Sequence, residues 1–430
     1  LFLTHGSSTD PGVQFQISKA DKSLSDLMPT PAERASARRW NASHFQSSQL
    51  INAPVSTTDL DNPTLPSLVV QITTFTCYGL CIGVKFAHPL SDAHCMSLFV
   101  KDWADISRAM LSVNPLPAPS PFFEPQLLDR CADGDIDASS ADLALLEKAK
   151  SLPMHRYDWW ISGEGCPYET HSKHISPELK EIAAAGTEPS GTKIPWAEWE
   201  LQKPTAHYVL HFTHEELKNM KQAMVATVKG VSIHDALLAH IWSCANRARG
   251  LDSDDQPVHL DYTLGLRNRV SPPLPTRFVG SCHLIAAVSC TGREASSDPA
   301  KLASLIRNTV AVFTPDKIAA HLHSKIYEQN PNRFWEGFLG RRHMMPTSWV
   351  RTGLNAIDFG TGFARYVEAV LPPCDGLLHI MEAIPTSTDT PGLPLKHWAE
   401  HGVDVHFYME AESMQRILDD SFLRAYDSND

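Results

Sequence analysis

No stretch of about 18 or more apolar residues occurs in this 430-residue chain, which removes the usual helical route across a membrane. Residues 68 to 87 come nearest, but Gln71, Thr73, Thr74, Thr76, Tyr78 and Lys85 interrupt them, and the stretch reads as paired strands. Positive charge is scarce: 37 Lys and Arg stand against 49 Asp and Glu, a formal charge of −12. That balance leaves no basic face for non-specific nucleic-acid binding, so an anionic substrate must be met by a local basic patch. CxxC pairs are missing as well. Nine scattered cysteines, an odd number, argue against a disulfide framework and against a zinc ribbon. A reducing cytoplasmic compartment is expected, with Cys77 and Cys81 on one strand face as buried free thiols. There is no internal repeat, no low-complexity block and no secretory signal, so the triplet Asn41-Ala42-Ser43 is a chance glycosylation match. Nor is there an initiating Met; from Leu1 the chain is expected to begin inside a longer polypeptide.

What is present is ordinary globular material: 43% hydrophobic and 20% charged residues, enough to bury a large core. The length suggests two domains of about 200 residues each. Residues 13–17 alternate apolar and polar, as a half-buried strand does, and 25–31 read as a turn. Two β-rich runs, 68–76 and 78–86, suggest a hairpin or adjacent strands. After Pro89 the period changes: Met96, Phe99, Val100, Trp103 and Ile106 recur at helical steps. Residues 112–125, with five prolines, read as an extended crossover.

The segment 130–205 is irregular, with a short helix near 141–150 and a helical patch near 177–185, and suggests a lid or surface excursion. Tyr157, Trp159 and Trp160 could roof an apolar substrate; anchoring the excursion is the plainer reading. Beyond it come a strand at 207–212, a helix from Thr213 or His214 to Lys221 and a strong helix from Ile233 to Arg247. Strands at 258–266 and 283–290 and helices at 301–313 and 316–328 follow. Strands at 364–370, 377–384 and 403–410 precede a closing helix, Ala411 to Leu418. The pattern is mixed α/β in two halves, 1–205 and 206–430.

Two motifs carry chemistry. In His88-Pro89-Leu90-Ser91-Asp92, a histidine titrating near neutrality stands where a strand hands over to a helix, with a carboxylate four positions on. In Asp358-Phe359-Gly360-Thr361-Gly362, two glycines permit a sharp turn. Either alone is a common accident. Adding His94 to make a metal set fails on geometry, because six residues turn roughly 600° around a helix. No metal is expected, and His94 reads as a packed or solvated helix residue.

Together, an early HxxxD and a late DFGxG resemble the BAHD acyl-CoA-dependent acyltransferases. Phe99 to Arg108, Val231 to Arg249, Leu266 to Gly280, Thr347 to Trp349 and Val403 to Ile417 are similar to further stretches of that family, over nearly the whole chain. Thr361 stands where Trp is usual, a variant resembling fungal members such as trichothecene acetyltransferases. It removes an indole N–H that could help hold an oxyanion. Ala93 stands where Gly is common, and the motifs are spaced more widely than in plant members, mostly within 130–205. By the same resemblance, a first strand and helix that normally precede the stretch Phe15 to Pro29 are expected to be missing from this sequence.

The resemblance implies two chloramphenicol-acetyltransferase-like domains with mixed sheets flanked by helices and a solvent channel between them. His88 would be the general base, removing a proton from a hydroxyl or amine that attacks the thioester of acyl-CoA, without an acyl-enzyme. Asp92 would be an orienting residue paired with Arg267. Asp358, Phe359, Gly360 and Gly362 would be structural. Arg269, Ser281, Ser348 and Thr361 would contact coenzyme A, a co-substrate and not a resident cofactor. A monomer acting on a small secondary metabolite, with an acetyl or other short acyl group, is implied. Other readings stand beside it: a condensation domain using a carrier-protein thioester, a non-catalytic binding module, and a metal-dependent hydrolase built on His88 and His94.

Overall fold

The computed structural model describes residues 12–45, 47–55, 65–158, 191–200, 202–226, 229–328, 333–384 and 397–427. Trp159, Trp160 and the patch near 177–185 lie outside them. The strands of the described residues are β1 (Val13–Ala20), β2 (Arg39–Asn41), β3 (Leu68–Phe75), β4 (Leu80–Phe86), β5 (Tyr157–Asp158), β6 (Thr192–Lys193) and β7 (Thr205–Phe212). They continue with β8 (Pro257–Gly265), β9 (His283–Thr291), β10 (Phe334–Trp335), β11 (His343–Ser348), β12 (Leu377–Glu382) and β13 (Val403–Glu410). A small sheet has the order β1-β3-β4, a second pairs β10-β5-β6, and a seven-stranded mixed sheet runs β2-β7-β13-β12-β11-β8-β9.

The large sheet is two-faced because its strands alternate. Leu260, Val288, Met344, Leu378, Ile380, Val405 and Phe407 are buried with Leu237, Leu238, Ile241 and Trp242 of the helix Ile233–Ala248. That helix starts sharply because Ser232 and Asp235 form a capping box. The register puts a different set on the other face. His259 lies opposite Ser289 and His343, His379 opposite Thr347 and His406, and His207 opposite Tyr408. His283 and Ile285 of β9 are on this same face. So one side of the sheet is aliphatic and the other is rich in imidazole.

Several expectations are corrected here. Residues 25–31 are not a simple turn: helices Leu24–Leu27 and Pro31–Ala37 occupy them, each opened by a capping box, on Ser23 and Thr30. Residues 364–370 form no strand. They cross the polar face of the large sheet, with the Tyr366 ring edge-on to Trp40 and Phe45 and Glu368 bonded by Ser47, so no ladder partner is within reach. β1 alternates as expected, but Val13, Phe15 and Ile17 point outward, 57%, 56% and 74% exposed. Cys77 is exposed in the β3–β4 turn, because the strand ends at Phe75, two residues before it.

The described part of the long irregular segment is no surface lid. Cys131 and Leu152 are buried with Leu264, Phe278, Leu284 and Ile318. Tyr157 is buried against Phe338 and stacks on His155, so it anchors its segment.

Candidate active site

His88 owes its position to a turn held at both ends. The Ala87 amide donates to the Ser67 carbonyl (2.8 Å), and the Leu90 and Ser91 amides donate back to Ala87 and His88. Helix Ala93–Leu111 starts immediately afterwards, with Asp92 as its N-cap accepting from the Cys95 amide (3.0 Å). The ring of His88 is exposed. Its Nδ1 lies 3.0 Å from the Ser281 hydroxyl, and that hydroxyl is 3.3 Å from Nδ1 of His283. The two imidazoles meet edge to face, 5.5 Å between centroids. Among the described residues, Nε2 of His88 has no hydrogen-bond partner.

Asp92 takes its hydrogen bonds from groups other than His88. Its carboxylate takes both Nη groups of Arg267 and the Cys282 amide (3.2 Å). Arg267 also donates to the carbonyls of Phe278 (3.1 Å) and Gly280 (3.0 Å). Burial alone would raise the Asp92 carboxyl, but Arg267 and the two amides outweigh it and hold the group below the usual carboxylate range. This knot ties the segment leading into β9 to the His88 turn, and so delivers Ser281 and His283. His94 donates from Nε2 to the Thr276 carbonyl (2.8 Å), another tie to the same segment.

Beside His283, on the polar face of the sheet, opens a cavity of about 400 Å³. Ile285 and Met345 line its sheet side, and Trp199, Phe334, Trp335 and Phe338 its walls. Glu336, also in the lining, pairs with Lys325 at 2.9 Å. Burial would raise Glu336; Lys325 reverses this and keeps it ionised.

The late motif sits elsewhere. Asp358 accepts from the amides of Gly360 (2.7 Å) and Gly362 (2.9 Å), which hold its carboxyl down. Phe359 packs edge-on against Trp103 and its carbonyl accepts from Ser107, while Arg108 donates to the Asp358 carbonyl. The turn thus grips the far half of the helix whose first residue follows Asp92, roughly 20 Å away at 1.5 Å per residue. Gly360 and Gly362 both have φ of +106°, a region that L side chains avoid. At Gly362 a new Cβ would meet open space, so Gly362→Ala reports the backbone cost alone. That substitution should cost about 1–3 kcal/mol in stability, read as a lowered unfolding midpoint, with kcat essentially unchanged.

The residues expected at coenzyme A have different neighbours. Ser281 has its hydroxyl between His88 and His283. Thr361 is exposed on the distant turn, and Ser348 is exposed at the end of β11. Arg269 is near Tyr262, whose hydroxyl lies 3.3 Å from Nδ1 of His234. Arg307 and Arg351 act on His234, and Arg307 is paired with Asp235. Burial pushes His234 down to about 4, so the local positive charge is that of the arginines.

Two groups able to gather ligand atoms went unnoticed in the sequence: His155, Asp261 and His343, and His207, Glu368 and His406. Neither includes His88 or His94. In the first, the Asp261 carboxylate receives His343 and the Phe338 amide, each at 2.9 Å. In the second, burial pushes Glu368 up to about 7. Only strand parity could have revealed them, because their members come from four strands and two connections.

The chain thus combines mixed sheets backed by helices with an accessible histidine at a strand-to-helix turn. The model of the Transferase family matches residues 7–137 and 198–420, and the chain belongs to this family, the BAHD acyltransferases. It is 26% identical to acyltransferase AFT15-1 of Alternaria alternata, over 99% of this chain and 80% of that protein. It is 24% identical to acyltransferase abl6 of Leptosphaeria maculans, over 98% and 79%. A solved structure of TRI101 from F. graminearum, complexed with coenzyme A and deoxynivalenol, superposes with a TM-score of 0.60. That likeness covers 95% of this chain and 80% of the other at 13% identity, and it concerns the fold. The chain is an acyltransferase.

Proposed function

We propose that this enzyme transfers an acyl group from acyl-CoA to a hydroxyl or amine of a small secondary metabolite, with His88 as general base. The observation that carries this reading is the exposed His88 ring, held through Nδ1 and open at Nε2. Nε2 takes the proton of the acceptor as its oxygen or nitrogen attacks the thioester carbonyl. The tetrahedral intermediate then collapses, the C–S bond breaks, and the departing CoA thiolate receives that proton from His88. The acyl group passes directly between substrates, so no acyl-enzyme forms. Asp92 and Arg267 hold the turn and do not exchange protons with substrate.

The two halves divide near residue 205 in sequence order. β2 and residues 126–158 cross over to join the large sheet and its core. A channel between the halves admits coenzyme A from one side, and the cavity beside Glu336 takes an apolar part of the acceptor. Arg267 is spent on Asp92 and Arg307 on Asp235, which leaves Arg269 and Arg351 for the coenzyme phosphates. Replacing both with alanine should raise KM for acyl-CoA about 10- to 100-fold at nearly constant kcat, the loss of one to two charge-assisted bonds.

The direct test is release of CoA thiol over a panel of acetyl-, malonyl- and aromatic acyl-CoAs with alcohol and amine acceptors. Acceptor-dependent release from free acyl-CoA is expected. Transfer only from a carrier-protein thioester would overturn the reading.

A further inference from the structure

Taking His88 as the base leaves a problem of proton placement. A neutral imidazole carries one proton, and here it must be on Nδ1 if Nε2 is to accept another. Ser281, the hydrogen-bond partner of Nδ1 at 3.0 Å, cannot enforce this by itself. A hydroxyl both donates and accepts. If Ser281 donated to Nδ1, the ring proton would lie on Nε2 and the exposed nitrogen would be no base.

We infer that His283 is a positioning residue that decides this choice, by taking the Ser281 proton and so leaving the Ser281 lone pair for the N–H of His88. Nδ1 of His283 is 3.3 Å from the Ser281 oxygen, the same oxygen that meets Nδ1 of His88. With that nitrogen accepting, the order of donors is fixed along the whole line. Nδ1–H of His88 donates to Ser281, Ser281 O–H donates to Nδ1 of His283, and the proton of His283 sits on Nε2. No net proton travels along the line during turnover. It orients His88, and when His88 becomes imidazolium its Nδ1–H is already aimed at an oriented oxygen.

The surroundings keep His283 in the state this requires. Burial lowers its pKa, and the nearby His88 ring lowers it further, so His283 is neutral at neutral pH. Asp92 and Glu336 act in the opposite sense, and Arg267 in the same sense as burial. β9 also fixes the geometry: Ser281 stands two residues before His283, at the start of the strand whose backbone pairs with β8. If His283 were protonated, its Nδ1 would become a donor, Ser281 would turn its proton to His88, and the two rings, 5.5 Å apart, would repel once both were charged. His283 is therefore required in its neutral form, and acidification removes activity as it titrates.

This inference rests on the general-base reading, and the test separates the two. Steady-state rates would be measured against pH for Ser281→Ala, His283→Ala, His283→Asn and the double alanine variant, with His88→Ala as reference. His283→Ala should lower kcat about 10- to 100-fold with KM for acyl-CoA changed less than about twofold. It should also move or remove the acid limb of the profile. Ser281→Ala should match it, and the double variant should be no worse than either alone, because both act along one line. His283→Asn should recover much of the rate, since an amide oxygen can accept from Ser281. Full activity in His283→Ala with a dead His88→Ala would overturn the role of His283 alone. Multiplying losses in the double variant, or no recovery in a folded His283→Asn, would do the same. An active His88→Ala would overturn the general-base reading itself.

Discussion

Substituting His88 with alanine lowers kcat on the order of 10²- to 10⁴-fold, the worth of a positioned base, while the unfolding midpoint hardly moves. The second half of that expectation follows from exposure. The ring is at the surface of a turn whose backbone bonds run through Ala87, Leu90 and Ser91, and none of these needs the imidazole. Surface substitutions away from packing change stability by about 0.5 kcal/mol or less. Thiol release by the purified variant, beside its melting curve, is the measurement. Turnover equal to wild type removes His88 from the mechanism.

Asp92→Ala gives the largest loss of stability. The carboxylate is paired with Arg267, caps a helix and accepts the Cys282 amide, with side chains only 15% and 12% exposed in the pair. Removing one member of such a pair leaves the other charge stranded, at a cost of about 3–5 kcal/mol. Activity falls with it, because the segment carrying Ser281 and His283 is held in place through Arg267. A neutral pair, Asp92→Asn with Arg267→Met, should regain most of the stability. The pH dependence has a definite sign. The folded carboxyl titrates below its unfolded value, so the pair stabilises at pH above about 4 and loses this as pH falls through the lowered folded value. The midpoint of Asp92→Asn should therefore depend less on acid than that of wild type. Equal acid sensitivity in both would place the stabilising role elsewhere.

Periodicity made the principal helix legible: Met96, Phe99, Val100, Trp103 and Ile106 fall within Ala93–Leu111. The runs that became β7, β8, β9 and β13 were legible as strands too, although β13 is buried along nearly its whole length and only β9 alternates over most of its own. The strand reading failed for 364–370, whose backbone crosses a sheet face and pairs with no strand. The direction of β1 was not legible either, since alternation says that two faces differ but not which one is covered. At the site, the family motifs brought out His88 and Asp92. His283 left no such signal: the bond that joins Ser281 to His88 spans 193 positions, and its neighbour His283 looked like any other residue of a strand. Ser281 was legible only as a hydroxyl in the right region. Its task depends on which rings its oxygen meets.

One nineteen-residue helix has the early motif at its first turn and the late motif clamped on its last turns. Damage at the two ends should therefore be told apart by different instruments. Damage beside Asp92 will show both in a stopped-flow trace and in a storage test at raised temperature, whereas damage beside Gly360 will show in the storage test alone. A variant library screened only for product formation will undervalue the distal clamp, which shows its worth in how long a preparation lasts.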